Sequence, residues 1–276
     1  MVLPLQRLGH NVWPVHTAML SNHTAYPDHG GSAVPAGELA DVIDALYRRG
    51  ALARCNAVLS GYLGDAAKGD VVLDAVARVR KNNNSALYCC DPVMGDDGAV
   101  YVADDIPQFM RDLAAPAADV LTPNLFELAV LTDSSPEVLA GASLGEIVAV
   151  AKKLVAADRR TSTVLITSLA HAGLLLTEVA MAAVTVNGAW LVTTPKLAFE
   201  APPRGAGDCC AALFCAALLA GSGGSGDTEV ALSQTASAIY ALLHETARLG
   251  RNELALVEAQ ELMLSPAKIF SAESLT

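Results

Sequence analysis

Aromatic side chains are scarce in this sequence: Phe, Tyr and Trp supply only 5% of its 276 residues. Yet 53% of the chain is hydrophobic and mean hydropathy is +0.38. A large core is therefore expected, filled by Ala, Val and Leu rather than by rings. Positive charge is also short. The 18 Lys and Arg are outnumbered by 29 Asp and Glu, a net charge of −11, which argues against nucleic acid or an anionic membrane surface as the main partner. A small anionic ligand stays compatible where helix ends and a metal supply a local positive field.

Other features are missing altogether. Cys55, Cys89, Cys90, Cys209, Cys210 and Cys215 form no C-x-x-C, so they give neither a zinc nor a disulfide framework. They read as small core residues in a reducing compartment. No apolar segment has the length of a bilayer span. The opening MVLPLQRLGHNVWP is broken by Pro4, Arg7 and His10, unlike a secretory signal, so a cytoplasmic protein is expected. There is no Walker A sequence, internal repeat or long charge run. GSGGSG at 221–226 fits G-x-G-x-x-G by letters, but it follows a helical pattern rather than a strand. It reads as a flexible helix-to-helix loop.

What is present is alternation. Short β-rich runs at 57–60, 86–91, 119–122 and 163–167 are separated by Ala- and Leu-rich amphipathic runs at 64–81, 106–114, 124–132 and 143–157. A strand is also expected at 11–16 and a helix at 35–49. This order predicts a parallel sheet covered on both faces. Successive strands at 174–177, 182–186 and 190–193 predict an antiparallel edge. Helices at 207–220, 228–248 and 255–264 complete a single domain over 1–276.

Ligands of open parallel sheets bind beyond the carboxyl ends of the strands. Here those ends carry Ser21-Asn22-His23-Thr24, Gly61-Tyr62, Asp91 through Asp96, Thr122 through Glu127, and Thr167-Ser168. Asp91 alone reads equally as the start of an Asp-Pro turn, and Glu127 as a carboxylate at a positive helix end. Asp91, Asp96 and Glu127 together supply hard oxygen donors suited to Mg²⁺ held partly by water and a substrate phosphate. Gly205-Ala206-Gly207 delivers the chain into an apolar helix at Asp208. In isolation Asp208 is an N-cap. Beside an acidic Mg²⁺-type cluster it suggests phosphoryl transfer, with Asp208 taking a proton from an attacking hydroxyl and the glycine-turn amides holding the phosphate.

RLGHNVWPVHTAMLSNHTAY (7–26), LSGYLGD (59–65), YCCDPVMGDDG (88–98), LTPNLFEL (121–128), VLITS (164–168) and GAGD (205–208) together resemble the pyridoxal kinase family of the ribokinase-like superfamily. GAGD alone indicates only the superfamily; SNHT, SGYLGD and DPVMGD point to the pyridoxal branch. The resemblance implies a three-layer α/β/α sandwich, mostly parallel with an antiparallel edge, and a homodimer. It implies transfer of the ATP γ-phosphate to the 5′-hydroxyl of pyridoxal with Mg²⁺, often stimulated by K⁺. Carried over by motif, Asp208 is the general base and Gly205, Ala206 and Gly207 form the anion hole. Asp91 and Glu127 organise Mg²⁺ and the ATP phosphates, with Asp96 close by. Thr122, Thr167 and Ser168 lie along the nucleotide, which Thr193, Thr194, Pro195 and Lys196 help to cover. Thr24, Tyr62 and Asp208 line the pyridoxal pocket.

Two departures bear on these expectations. Arg204 precedes the glycine turn where the family carries a small or neutral residue, and it is expected to face solvent. The family also begins with a strand and a Ser- and Gly-containing loop ahead of the position of Val2, so the chain reads as N-terminally truncated. A missing central strand would leave two strand edges unpaired in the core, and the pyridoxal half of the site incomplete. A hydroxymethylpyrimidine-type kinase and a non-catalytic nucleotide-binding remnant are the alternatives.

Overall fold

The computed structural model describes the chain except residues 25, 97, 156–159, 170, 172, 201–202, 222–224 and 276. It opens with helix α1 (Val2–Arg7) and a small antiparallel hairpin, β1 (Ala18–Leu20) on β2 (Gly31–Ala33). Helix α2 (Ala36–Arg48), strand β3 (Ala57–Ser60), helix α3 (Ala66–Asn82) and strand β4 (Leu87–Cys90) follow. A second hairpin pairs β5 (Gly95–Asp96) with β6 (Ala99–Val100). The next helix runs as α4 (Ile106–Phe109), a π-helical stretch (Met110–Ala114) and α5 (Ala115–Ala117). Pro116 has no N–H to donate into that last turn, which accounts for the local widening. Then come β7 (Val120–Leu121), α6 (Leu125–Leu131), α7 (Pro136–Ala140), α8 (Leu144–Lys152), β8 (Thr163–Leu169), β9 (Glu178–Thr185), β10 (Ala189–Pro195), α9 (Ala206–Ala220), α10 (Ser225–Arg248), α11 (Gln260–Leu264) and β11 (Glu273–Ser274).

Seven strands make one sheet in the order β11-β10-β9-β8-β7-β4-β3. Pairing is parallel from β3 to β8 and antiparallel from β8 to β11. Side chains alternate across the sheet as a strand period of two requires. Val164 and Ile166 enter one core with Tyr88, Leu121, Leu128 and Ile147. Leu165 enters the opposite core with Cys89, Val120, Phe214 and Leu232. Helices thus cover both faces, giving the three layers. The scarcity of rings is met by small residues: α9 buries Ala211, Ala212 and Ala216, and packs Cys209, Cys210 and Cys215 into the core shared with the sheet and α10.

Local signals set the helix starts that matter for the site. Asp65 caps α3, accepting from the Lys68 N–H at 3.0 Å. Asn124 and Glu127 form a reciprocal capping box on α6. Among the described residues no helix is long and apolar enough to cross a membrane.

Several expectations are corrected. Residues 11–16 form no strand: Pro14 removes a ladder donor, and exposed Trp13 instead lies under the Arg54 guanidinium, 5.9 Å from the ring centre. Residues 174–177 also form no strand; Leu175 and Leu176 are exposed, Leu176 by 96%, with no face to bury. The helix expected at 255–264 shortens to α11. The expected helix at 143–157 ends as α8 at Lys152, and residues 156–157 lie outside the described residues. Part of the 221–226 loop also lies outside them, and α10 already begins at Ser225. The expected pair of unpaired interior edges is absent: hydrogen bonding runs without a gap from β11 to β3, and β3 is an edge strand.

Candidate active site

Asp91 leaves the end of β4 with its N–H still donating to Ser60 O on β3 at 2.9 Å, so its position is fixed by the ladder. Its carboxylate is only 6% exposed. Thr122, at the end of neighbouring β7, donates its hydroxyl to Asp91 Oδ1 at 2.9 Å. Burial first, and the Asp208 charge second, push the Asp91 carboxyl up to about 7 against the pull of that hydrogen bond. Glu127, 4% exposed, accepts from the Met94 N–H at 2.9 Å and the Asn124 N–H at 3.0 Å. Burial and then Asp91 still push it up to about 8. Asn124 Nδ2 donates to Gly95 O at 2.8 Å, tying the β5–β6 hairpin to α6.

Asp208 lies in the first turn of α9. Gly205 precedes the helix at φ +88°, a left-handed turn that L side chains rarely adopt. The Cys209 N–H closes the first helical bond onto Gly205 O at 3.0 Å, leaving the amides ahead of it without helical partners. Beside Gly207, the space where a Cβ would stand holds no atom within 4 Å. Burial raises the Asp208 carboxyl above the usual carboxylate range, opposed by the Met1 amino group and His23. The loop after β3 approaches closely: a Cβ on Gly61 would sit 3.4 Å from Asp208 Oδ1. A cavity of about 210 Å³ opens beside Asp208, lined also by Met1, Pro4, Arg204, Gly205 and Glu253. Arg204 is exposed, as expected, and makes a parallel backbone bridge to Glu253.

Half-exposed Tyr101, past the β5–β6 hairpin, reports where the acids converge. Its phenol is pushed up to about 12, by burial first and then by Glu127, Asp96, Asp91 and Asp208. Sequence reasoning passed over Tyr101; its place just beyond DPVMGDDG was the available signal. Gly61 and Asn124 stand among the strand-end residues named from the sequence, but without a role assigned to either.

The structure thus brings Asp91, Thr122, Glu127 and Asp208 together, with Asp96 exposed at the rim. The Thr167 N–H donates to Pro123 O at 2.9 Å, fixing the end of β8 beside that group. Ser168 sits at a break in the β8–β9 register with φ +48° and is exposed. Thr193, Thr194, Pro195 and Lys196 end β10 or follow it. Because β10 runs parallel to β8 through the antiparallel β9, they emerge on the same side of the sheet. No described hydrogen bond joins them to the acids. Tyr62 is exposed on the loop after β3, its carbonyl accepting from Thr17 Oγ1 at 2.7 Å. Thr24 is exposed on the β1–β2 connection with no described hydrogen bond to Asp208.

Helices on both faces of this sheet, and a glycine turn feeding an acid into a helix start beyond its strand ends, define the ribokinase-like class. The family model described as phosphomethylpyrimidine kinase matches residues 24–256. The chain is 48% identical to the pyridoxal kinase PdxY of Rubrobacter xylanophilus over 268 residues, 96% of this chain and 88% of that protein. It is 44% identical to PdxY of Deinococcus radiodurans, over 99% of this chain and 89% of that one. The pyridoxal kinase of Leishmania donovani, solved with ADP and ginkgotoxin, superposes with a TM-score of 0.87 at 26% identity, covering 99% of this chain and 92% of that one. The chain belongs to the phosphomethylpyrimidine kinase family, in its pyridoxal kinase branch.

Proposed function

We propose that this chain is a pyridoxal kinase that transfers the γ-phosphate of ATP to the 5′-hydroxyl of pyridoxal, giving pyridoxal 5′-phosphate and ADP. The observation that carries this is Asp208: a half-buried carboxyl at an open helix start, facing the loop that bears Tyr62. In the reaction the 5′-oxygen forms the new bond to the γ-phosphorus and the bond to the β,γ-bridging oxygen breaks. Asp208 takes the hydroxyl proton, and the negative charge leaves on ADP. The amides at Gly205, Ala206 and Gly207 hold the transferring phosphate, where the empty space beside Gly207 leaves room for it. Thr122, Thr167, Ser168, Thr193, Thr194, Pro195 and Lys196 bind along the nucleotide. Thr24 and Tyr62 line the pyridoxal pocket, Tyr62 by packing on the ring.

The donor set fits Mg²⁺. Two buried carboxyls sit here: burial and the Asp208 charge raise the proton affinity of Asp91, and burial and the Asp91 charge raise that of Glu127, a conflict that a divalent cation relieves. Among the described residues no three acidic, His or Cys side chains form a metal-holding group. Both Glu127 oxygens are already engaged by backbone amides. Asp91 would therefore hold the ion with the ATP phosphates and water, Glu127 would act through water, and Asp96 would stay close to the phosphates. When bound, Mg²⁺ neutralises phosphate charge. A stimulating K⁺, a homodimer, a single domain and a cytoplasmic location belong to the same proposal.

The test is ATP-dependent phosphorylation of pyridoxal and of hydroxymethylpyrimidine side by side, with the products identified by absorbance. Pyridoxal 5′-phosphate formation at the higher kcat/KM is expected. Preference for the pyrimidine, or binding of ATP without turnover of either compound, would replace this reading with one of the alternatives.

A further inference from the structure

Lys68 is 1% exposed, while Lys81, Lys152, Lys153, Lys196 and Lys268 are all exposed. A buried ammonium is costly unless it is paired. Its partner is Asp65, the residue that caps α3. Both donors of Lys68 act on this one carboxylate: its N–H on Oδ1 at 3.0 Å and its ammonium on Oδ2. A helix cap needs only the first of these. The ammonium does more, because it folds back under the turn before the helix. The point where Gly64 would carry a Cβ lies 3.3 Å from Lys68 Nζ, 3.7 Å from Tyr62 Cε1 and 3.8 Å from Tyr62 Oη. Gly64 is itself at φ +87°, a turn that restrains the loop little on its own. On the other side, the Tyr62 carbonyl is held by Thr17 at 2.7 Å.

We infer that Lys68 is a positioning residue for the aromatic substrate, its buried ammonium locked to Asp65 beneath residues 61–65 so that the Tyr62 ring is presented in one pose. This rests on Tyr62 packing against pyridoxal, as proposed above. The described polar contacts of Lys68 go to Asp65 and not to Asp91, Thr122, Glu127 or Asp208, so its effect falls on one substrate alone.

Lys68→Met keeps the apolar stem and removes the charge; Asp65→Asn keeps the cap acceptor and removes the anion. In each, KM for pyridoxal should rise about tenfold, with KM for ATP within about twofold of wild type. Lys68→Gln, which keeps a donor, should recover part of the loss. Unchanged pyridoxal KM, or equal rises for both substrates, overturns the inference. Asp65→Asn carries the test if Lys68→Met fails to fold. Amide hydrogen exchange over residues 60–66 reads the same lock without turnover. It should quicken in Lys68→Met, while exchange of the β7 and β8 amides stays as in wild type. Unaltered exchange there overturns the inference even if the wild-type chain phosphorylates something other than pyridoxal. An inactive wild type with quickened exchange removes the functional proposal and leaves the lock standing.

Discussion

Thr122 donates its hydroxyl to Asp91 Oδ1 at 2.9 Å, joining the ends of two adjacent parallel strands. It is the hydrogen bond that opposes the combined effect of burial and Asp208 on the Asp91 carboxyl. Thr122→Val keeps the shape and removes that donor. A hydrogen bond to a charged group contributes about 1.5–3 kcal/mol, so KM for MgATP should rise roughly tenfold to a hundredfold. Thr122→Ser should restore it. Steady-state kinetics with each substrate varied in turn checks this; unchanged MgATP kinetics would remove Thr122 from the phosphate site.

Asp208→Asn keeps the helix start and removes the base. Turnover should fall by about 10²–10⁴-fold, the range of general base catalysis, while ATP still binds in equilibrium titration. Turnover near wild type would make Asp208 a helix cap and nothing more.

Glu127→Gln places an amide NH₂ against one of two backbone donors, Met94 N–H or Asn124 N–H. The lost acceptor should cost about 1–3 kcal/mol of stability, read as a lower Tm. Half-maximal activity should need more Mg²⁺. A superimposable Mg²⁺ titration would take Glu127 out of the metal's surroundings.

Gly95→Ala tests the close packing of the β5–β6 hairpin. The added carbon would come closer than 3.0 Å to the Ala99 carbonyl oxygen and to the Phe126 ring. Overpacking of this kind costs about 1–3 kcal/mol, so thermal denaturation should show a clear drop. An unchanged Tm would mean that the hairpin yields freely.

The acid limb of stability should depend on Lys68. Burial raises the Asp65 carboxyl, but the Lys68 side chain and amide outweigh it, holding the group below the usual carboxylate range. An acid depressed in the folded state stabilises the fold above its unfolded value, near pH 3.9, and loses that contribution as pH falls through the folded value. Wild type should therefore lose more Tm than Lys68→Met between about pH 4 and pH 2. Parallel pH profiles would contradict this.

The parallel half of the sheet was legible because each run there carries a strong local signal. Strand 57–60 was placed to the residue, and α3 and α6 begin beside caps visible in GYLGD and TPNLFEL. Strands of two or three residues such as β1, β2, β5 and β6 carry no period to detect, and Leu174 to Thr177 has strand composition but no partner surface. At the site, Asp91 stood out because an acid ending an apolar strand is costly to bury, and Glu127 and Asp208 because they sit at helix starts beyond strand ends. Lys68 did not, because a lysine in a helical run reads as solvated; only the path of the loop above it shows that its ammonium is enclosed.

Pyridoxal carries an aldehyde, an electrophile that thiolates capture readily. The chain places Cys209 directly after Asp208, yet burial pushes that thiol up to about 11, and Cys90 beside Asp91 likewise to about 11. Held as neutral thiols among core side chains, these sulfurs are poor nucleophiles toward a carbonyl carbon. An aldehyde held at Asp208 would thus meet a quiet thiol at the next residue rather than a competing nucleophile.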